Sequence, residues 1–196
     1  MMRLSTVALA ASIAASGSSA LLHSQQPPAQ PAPSKQSAEE IFDSQMKQDQ
    51  PGNAEAGRPI YEKQCATCHR FGSIGKEIGP DLTTITSRFQ KKDLLESILW
   101  PSKVISDQYK SEMFVLKSGT VVSGAIVRES AASVLVRTAE APERPVSVPK
   151  AQIAERGESK VSLMPEGLLE GYTQADIANL LAFMMSPPPT TASAAR

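Results

Sequence analysis

The spacing of apolar residues predicts two amphipathic helices. In residues 91–99, KKDLLESIL, leucine and isoleucine fall on one helical face, and Pro101 ends the helix. In residues 173–185 apolar side chains recur at i, i+3, i+4 and i+7, and Thr173 and Asp176 have the spacing of an N-terminal cap. These helices predict a domain that is helical on either side of a central segment.

A third helix is predicted over residues 53–64, directly before the cysteines of the chain. Pro59 interrupts it, and a proline inside a helix costs a backbone hydrogen bond. A helix that begins near Arg58 would place Pro59 in the first turn and avoid that cost.

The central segment, residues 111–156, is rich in valine, isoleucine and threonine. EMFVLKSGTVVSGAIVRE predicts two strands joined by a turn at Ser118 and Gly119, and SVLVRT and RPVSVP predict two more strands. Gly124 indicates a bulge or a sharp bend. We therefore predict a mainly α fold with a small inserted antiparallel β-module. The glycine pattern of the module is similar to that of small SH3-like barrels.

Residues 1–20 have the layout of a secretory signal peptide. Arg3 precedes an apolar, alanine-rich run, and small residues up to Ala20 offer a cleavage site. The run is shorter than the roughly 20 residues of a transmembrane helix, so we expect no membrane span after the leader is removed. The alternative is a disordered alanine-rich terminus. A leader predicts a periplasmic or otherwise exported protein, in which an unoccupied cysteine pair would tend to oxidise.

Two segments without apolar periodicity flank the compact part. Residues 21–51 predict a tether rich in proline and glutamine, in which Ser37 and Glu40 mark a short helix that packs on the domain or contacts a partner. Residues 187–196 predict a disordered tail. The domain itself is therefore predicted over residues 52–186.

The number and distribution of charged residues in the chain do not indicate a polyanionic partner. The chain has 20 lysine and arginine residues and 20 aspartate and glutamate residues, a formal net charge of zero. The sequence contains no block of basic residues. Nucleic acid and anionic membrane surfaces are therefore poor candidate partners.

The two cysteines of the chain lie in QCATCHR, residues 64–70, and His69 follows the second one. A thiol–disulfide exchange site is disfavoured, because a helix precedes the pair and no βαβ pattern surrounds it. A structural zinc site needs four ligands, and the chain beyond the tether has neither a third cysteine nor a second histidine, because His23 lies beside the leader. C-x-x-C-H is the sequence form of covalent haem attachment. We therefore predict one haem c per chain, bound through Cys65 and Cys68, with iron ligated by His69.

A six-coordinate haem iron needs a second axial ligand, and methionine is one known partner of histidine. Outside the leader the candidates are Met46, Met113, Met164, Met184 and Met185. Met184 falls on the apolar stripe of the last helix, where packing is the ordinary role. Met164 lies in VSLMPEGLL, a loop from which a sulfur can point at a pocket. We predict Met164 as the second ligand, with core filling as the alternative.

With these features the chain resembles class I cytochrome c. Gly57, Tyr61 and Cys65 have the spacing found in that family, in which the glycine and the aromatic residue of the first helix meet the last helix at a close crossing. The resemblance implies that Leu180 or Phe183, or both, lie on the other side of this crossing. It also implies the class I cytochrome c fold.

The stretch IGPDL resembles the loop that follows the haem motif in the same family. The resemblance implies that the Pro80 carbonyl accepts a hydrogen bond from Nδ1 of His69, and that Leu82 lines the haem pocket. An apolar shell is expected to keep water from the iron, formed by Phe71, Ile74, Leu82, Leu94, Leu95, Ile98, Leu163 and Leu168. Trp100 is expected either to bond a haem propionate or to pack in the core.

More narrowly, the chain resembles the haem-binding domain found at the ends of large secreted proteins of Planctomycetes and related bacteria. The matching stretches are CATCH, GPDLT, LLESILWPSKVIS, SGTVVSGAIV, SLMPEGL and ADIANLLAFM. The resemblance implies a single-haem electron carrier, not an enzyme, that exchanges electrons with separate redox partner proteins. Two alternatives are a haem-based sensor with an open sixth position and a haem-bearing docking subunit of a separate oxidoreductase.

Overall fold

The computed structural model describes residues 35–47 and 51–190. The helices are α1 (Ala38–Lys47), α2 (Ala54–Gln64), α3 (Lys91–Leu99) and α4 (Gln174–Met184). The strands are β1 (Ser111–Leu116), β2 (Val121–Glu129), β3 (Ser133–Arg137), β4 (Val146–Pro149) and β5 (Ile153–Ser159). Short 3-10 helices lie at Ile85–Ser87, Asp107–Tyr109 and Lys150–Gln152. The predicted signal peptide, residues 1–20, lies outside the described residues.

The fold is mixed α/β, so the prediction of a mainly α fold is not confirmed. The five strands form one antiparallel sheet in the order β4-β3-β2-β1-β5. Phe114, Val134, Val136 and Val148 are buried in a cluster of their own, separate from the cluster formed by the helices. The β-module therefore adds a second apolar core.

Helix α2 begins at Ala54, not near Arg58. The Asn53 side chain caps it by accepting hydrogen bonds from the backbone N–H groups of Glu55 (2.9 Å) and Ala56 (3.3 Å). Pro59 therefore lies inside the helix. A prolyl nitrogen cannot donate, and an interior proline costs about 3 kcal/mol. Tertiary packing has to offset that cost.

Helix α2 crosses helix α4 at very short range, as the resemblance implies. A Cβ atom built on Gly57 would lie 2.0 Å from the backbone oxygen of Asn179. One turn later the rings of Tyr61 and Phe183 pack with centroids 5.4 Å apart. The backbones can approach this closely because Gly57 has no side chain.

Helix α1, within the predicted tether, packs on the domain. Ile41 is 2 % exposed and belongs to the cluster formed by the helices. The ring of Phe42 meets Trp100 edge-on at 5.4 Å, and Nε2 of Gln45 donates to the backbone oxygen of Gln174 at 2.7 Å. Trp100 therefore packs under α1.

The β-module begins and ends at neighbouring positions. Ser111, the first residue of β1, pairs with Ser159, the last residue of β5. The sequence pattern predicts four strands and a module that ends at residue 156, whereas the structure has a fifth strand, β5, that continues to Ser159. The strand was missed because IAERGES lacks alternating apolar residues. Its pairing with β1 is made by backbone groups.

Gly124 lies where β2 changes partner. Residues 121–124 pair with β1, and the pairing with β3 begins at Ala125. A Cβ atom on Gly124 would lie 2.1 Å from the backbone oxygen of Arg137. The register with β3 then shifts between Ile126 and Arg128. The register irregularity therefore lies two residues beyond Gly124, and Gly124 itself marks the close approach to Arg137.

The start of the predicted disordered tail contacts the domain. The backbone N–H of Ser73 donates to the backbone oxygen of Pro189 at 2.8 Å. A Cβ atom on Gly72 would lie 2.1 Å from the same oxygen. The backbone at Pro189 therefore packs against the loop after the cysteine motif.

Candidate functional site

The end of helix α2 positions both cysteines. The backbone N–H of Cys65 donates to the oxygen of Tyr61 at 2.8 Å, which closes the last helical turn. The chain then turns again, with the N–H of Cys68 (3.0 Å) and of His69 (2.8 Å) both donating to the oxygen of Cys65. This turn holds two thiols and one imidazole within five residues.

His69 is oriented by the loop that follows. Its Nδ1 lies 2.8 Å from the backbone oxygen of Pro80. Because a carbonyl oxygen can only accept, Nδ1 carries the proton and Nε2 keeps its lone pair. A hydrogen bond of this kind, from the ring nitrogen that does not bind the metal, fixes the tautomer of metal-binding histidines.

Gly79 leaves room for the imidazole of His69. A Cβ atom at Gly79 would lie 2.8 Å from Cε1 of the ring. The backbone N–H of Gly79 donates to the oxygen of Cys68 at 2.7 Å, which holds this loop against the motif. Burial lowers the pKa of His69, and the hydrogen bond to Pro80 opposes the effect.

A cavity of about 410 Å³ lies beside His69 and Cys65. Its buried floor is apolar and is formed by Leu82, Ile85, Leu94, Ile98, Pro101 and Met184. Three of the predicted shell residues, Leu82, Leu94 and Ile98, line it, whereas Phe71, Ile74, Leu95, Leu163, Leu168 and Trp100 do not. Phe71 instead packs between Tyr61 and Phe183.

Two methionines, Met164 and Met184, line the cavity. The Met164 loop is tied to the segment after α3, because the N–H of Ser162 donates to Oγ of Ser102 at 3.1 Å. The N–H of Met164 in turn donates to Oγ of Ser162 at 3.1 Å. The structure therefore brings Met164 to the same cavity as His69, although 94 residues lie between them in the sequence.

The other three methionines that the structure describes, Met46, Met113 and Met185, do not line the cavity. Met46 and Met113 are each 38 % exposed, on α1 and β1, and Met185 packs against the helical cluster. Met184 is buried, as its place on the apolar stripe predicts. Because its side chain also borders the cavity, it is the natural comparison for any test of Met164.

The rim of the cavity carries several polar residues beside the exposed Val104, and none of these polar residues was predicted from the sequence. The polar residues are Arg88, Ser97, Ser106, Gln108 and Tyr109, and Arg88 is the one cation among the described residues that line the cavity. These residues belong to loops, to the polar face of α3 and to the 3-10 helix Asp107–Tyr109. No local spacing or composition distinguishes them from other polar surface residues.

Within the part of the chain that the structure describes, Asp81 is the one acid that lines the cavity, and neighbouring residues bind it. It pairs with Arg70 and accepts hydrogen bonds from the backbone N–H (2.8 Å) and Oγ1 (2.5 Å) of Thr83. The bond from Arg70, followed by those from Thr83, holds the pKa of Asp81 well below its usual range. Asp81 therefore stabilises the loop that presents Pro80 to His69.

The two thiols do not resemble those of a thiol–disulfide oxidoreductase. Both cysteines are free. Burial, with a smaller effect of Cys68, raises the pKa of Cys65 to about 12, and burial also raises the pKa of Cys68. Exchange enzymes instead lower the pKa of the attacking thiol. Within residues 35–47 and 51–190, no group of three or more His, Cys, Asp or Glu side chains could bind a metal ion.

The residues around the cavity fit a haem. The two thiols could form thioether bonds, and Nε2 of His69 is available to iron. The apolar floor suits a porphyrin, and the polar rim with Arg88 suits its carboxylates.

Residues 54–114 match the family model for cytochrome c. The matched segment, 61 of the 196 residues, is similar to cytochrome c. This similarity implies covalently bound haem c, and Cys65 and Cys68 have the required spacing. Members of the family are typically electron carriers and not enzymes. The match ends within β1, before the Met164 loop and α4. No curated protein shows significant similarity to the chain.

Proposed function

We propose that this protein is a single-haem electron carrier of the cell envelope, with His69 and Met164 as the axial ligands. One observation carries the proposal: His69, whose Nδ1 is occupied by Pro80, and Met164 line the same cavity. The pairing of histidine with methionine favours a raised reduction potential.

When bound, the haem supplies an iron that alternates between the ferrous and ferric states. The chain's own residues hold it and protect it. Cys65 and Cys68 prevent its loss, and the hydrogen bond from His69 to Pro80 keeps the imidazole in one orientation. The apolar floor excludes water, which limits solvent reorganisation when the charge of the iron changes.

Arg88 has a further role in this proposal. It is the cation among the residues that line the cavity. We assign it to a haem propionate, with Gln108 and Tyr109 as neutral hydrogen-bonding groups on the same rim.

Export to the periplasm is supported by the leader-like residues 1–20 and by the chemistry of the domain. Within residues 35–47 and 51–190, no helix is both long and apolar enough to cross a membrane. The formal net charge of zero argues against nucleic acid as a partner. The partners in this proposal are separate redox proteins.

The narrower family proposal is the planctomycete-type haem-binding domain. It is supported by the β-module between α3 and the Met164 loop, and by the sequence SLMPEGL around Met164. Ser162 and Ser102 join the two ends of the interruption by a hydrogen bond of 3.1 Å.

The deciding experiment is an absorption spectrum of the mature holoprotein in both redox states. We expect a low-spin spectrum with a methionine–iron band. Met164→Ala should abolish the band, whereas Met184→Leu, which keeps the apolar volume of the cavity floor, should retain it. Loss of the band in Met184→Leu alone would overturn the assignment of Met164.

Carbon monoxide distinguishes the carrier from a haem-based sensor. A carrier with both axial positions filled should bind the gas slowly in the ferrous state, and Met164→Ala should bind it rapidly. Rapid binding by the unaltered protein would favour the sensor function. The absence of covalent haem would refute both functions.

A docking subunit is a second candidate, favoured by one contact. Lys76, in the loop after the haem motif, forms an ion pair with Glu143, in the loop between β3 and β4. Glu143 and Arg137 are also close enough to Cys68 to influence its pKa. The β-module thus lies next to the motif, where it could present the haem edge to an oxidoreductase.

A further inference from the structure

Tyr61 joins the helix crossing to the axial histidine. Its side chain is fully buried, with 0 % exposure. Its hydroxyl donates to the backbone oxygen of His69 at 2.9 Å. Its ring packs against Phe71 and Phe183, with centroids 5.8 and 5.4 Å away. The same side chain therefore belongs to the α2–α4 crossing and contacts the residue that carries the proposed ligand.

The hydroxyl of Tyr61 is a dependable donor. The backbone oxygen of His69 can only accept, so the hydroxyl of Tyr61 donates its proton to this bond at 2.9 Å. The carbonyl of His69 that accepts the bond lies in a confined place, because a Cβ atom on Gly75 would come within 2.0 Å of its oxygen. If the carbonyl of His69 moved, its oxygen would either clash with the backbone at Gly75 or lose the hydrogen bond from Tyr61.

We propose that Tyr61 is a positioning residue for His69. Its hydroxyl fixes the main chain of His69, and the carbonyl of Pro80 fixes the ring, so that Nε2 faces the cavity from one orientation. This inference rests on the proposed ligation of iron by His69. The hydroxyl of Tyr61 thus holds the main chain of His69, which the aromatic ring alone cannot do.

The chain offers a matched control. The hydroxyl of Tyr172 accepts a hydrogen bond from Nε2 of Gln64, the last residue of α2, at 2.9 Å. Tyr61→Phe and Tyr172→Phe each remove one buried or half-buried hydroxyl at the same helix, and both keep the ring. Only the first removes a bond to His69.

The measurement is proton NMR of the holoprotein, which observes the His69 ring directly. In Tyr61→Phe we expect the Nδ1 proton of His69 to exchange with solvent roughly fivefold faster, the factor expected for losing one ordinary hydrogen bond. We also expect its ring resonances in the ferric state to move. In Tyr172→Phe both should stay at their original values. Circular dichroism checks that each variant is folded.

Equal exchange rates in Tyr61→Phe and the unaltered protein would overturn the proposal. So would equal acceleration in both variants, because a general loosening of α2 would then explain it. The test is independent of the second ligand. A spectrum without the methionine–iron band would refute Met164 and still allow the exchange of the His69 proton to be compared.

Discussion

Replacing Gly57 by alanine tests the crossing of α2 and α4. The new Cβ atom would lie 2.0 Å from the backbone oxygen of Asn179 and 2.5 Å from its carbonyl carbon. Ordinary contact begins at 3.4 Å, so the helices would have to separate by about 1.4 Å, the difference between 3.4 and 2.0 Å. Since the obstacle is backbone, no change of rotamer can relieve it.

Two effects of Gly57→Ala oppose each other. Alanine favours a helix over glycine by about 1 kcal/mol. Overpacking of this kind costs about 3 kcal/mol at the upper end of its usual range, which applies here because backbone meets backbone. We therefore expect a net loss of about 2 kcal/mol and a Tm lower by about 5 °C.

The assay for Gly57→Ala is thermal unfolding of the holoprotein, followed by circular dichroism. Gly157→Ala is the matched control, because a Cβ atom on Gly157 meets nothing within 4 Å and its φ is not in the left-handed region. It should leave Tm unchanged or raise it slightly. If Gly57→Ala behaved like Gly157→Ala, the close crossing would be refuted.

Two further predictions concern the loop around Asp81 and the independence of the β-module. The pKa of Asp81 is lowered on folding, so the stability it contributes is present above its unfolded pKa of about 3.9 and is lost as the pH falls through its folded pKa. Urea midpoints measured between pH 6 and pH 3 should therefore fall less in Asp81→Asn than in the unaltered protein, and an equal fall in both would contradict the assignment. Replacing residues 111–159 by a short glycine–serine linker should leave the haem absorption spectrum unchanged, because the module has its own core and Ser111 pairs with Ser159. A high-spin spectrum in this variant would contradict that independence.

The sequence predicted what depends on neighbouring residues. One turn of the chain contains Cys65, Cys68 and His69. The haem-attachment motif can therefore be recognised from five consecutive residues, without knowledge of the fold. Helices α3 and α4 and the hairpin around Gly119 follow from apolar periodicity and turn chemistry. Gly119 has a φ of +86°, which is the region that a glycine in a tight turn can adopt without strain.

The sequence could not predict what the packing decides. Pro59 argued for a later start of α2, but the helix begins at Ala54 because Asn53 caps it and α4 packs along it. Arg88, Gln108 and Tyr109 meet at the cavity rim only after α3 and the following loop are in place. These positions depend on residues that are distant in the chain, and single-sequence patterns contain no signal for them.

The pairing of Ser111 with Ser159 also determines how readily the Met164 loop can reach the cavity. In the unfolded chain the whole segment from α3 to Met164 is a flexible loop, and closing a longer loop costs more conformational entropy. Once the β-module has folded, its two ends are adjacent, and the effective loop is reduced to the short segments outside it. Each halving of that loop lowers the entropic cost of closure by about 0.6 kcal/mol. The inserted strands therefore favour an order of assembly in which the sheet forms early and the far side of the haem pocket closes last.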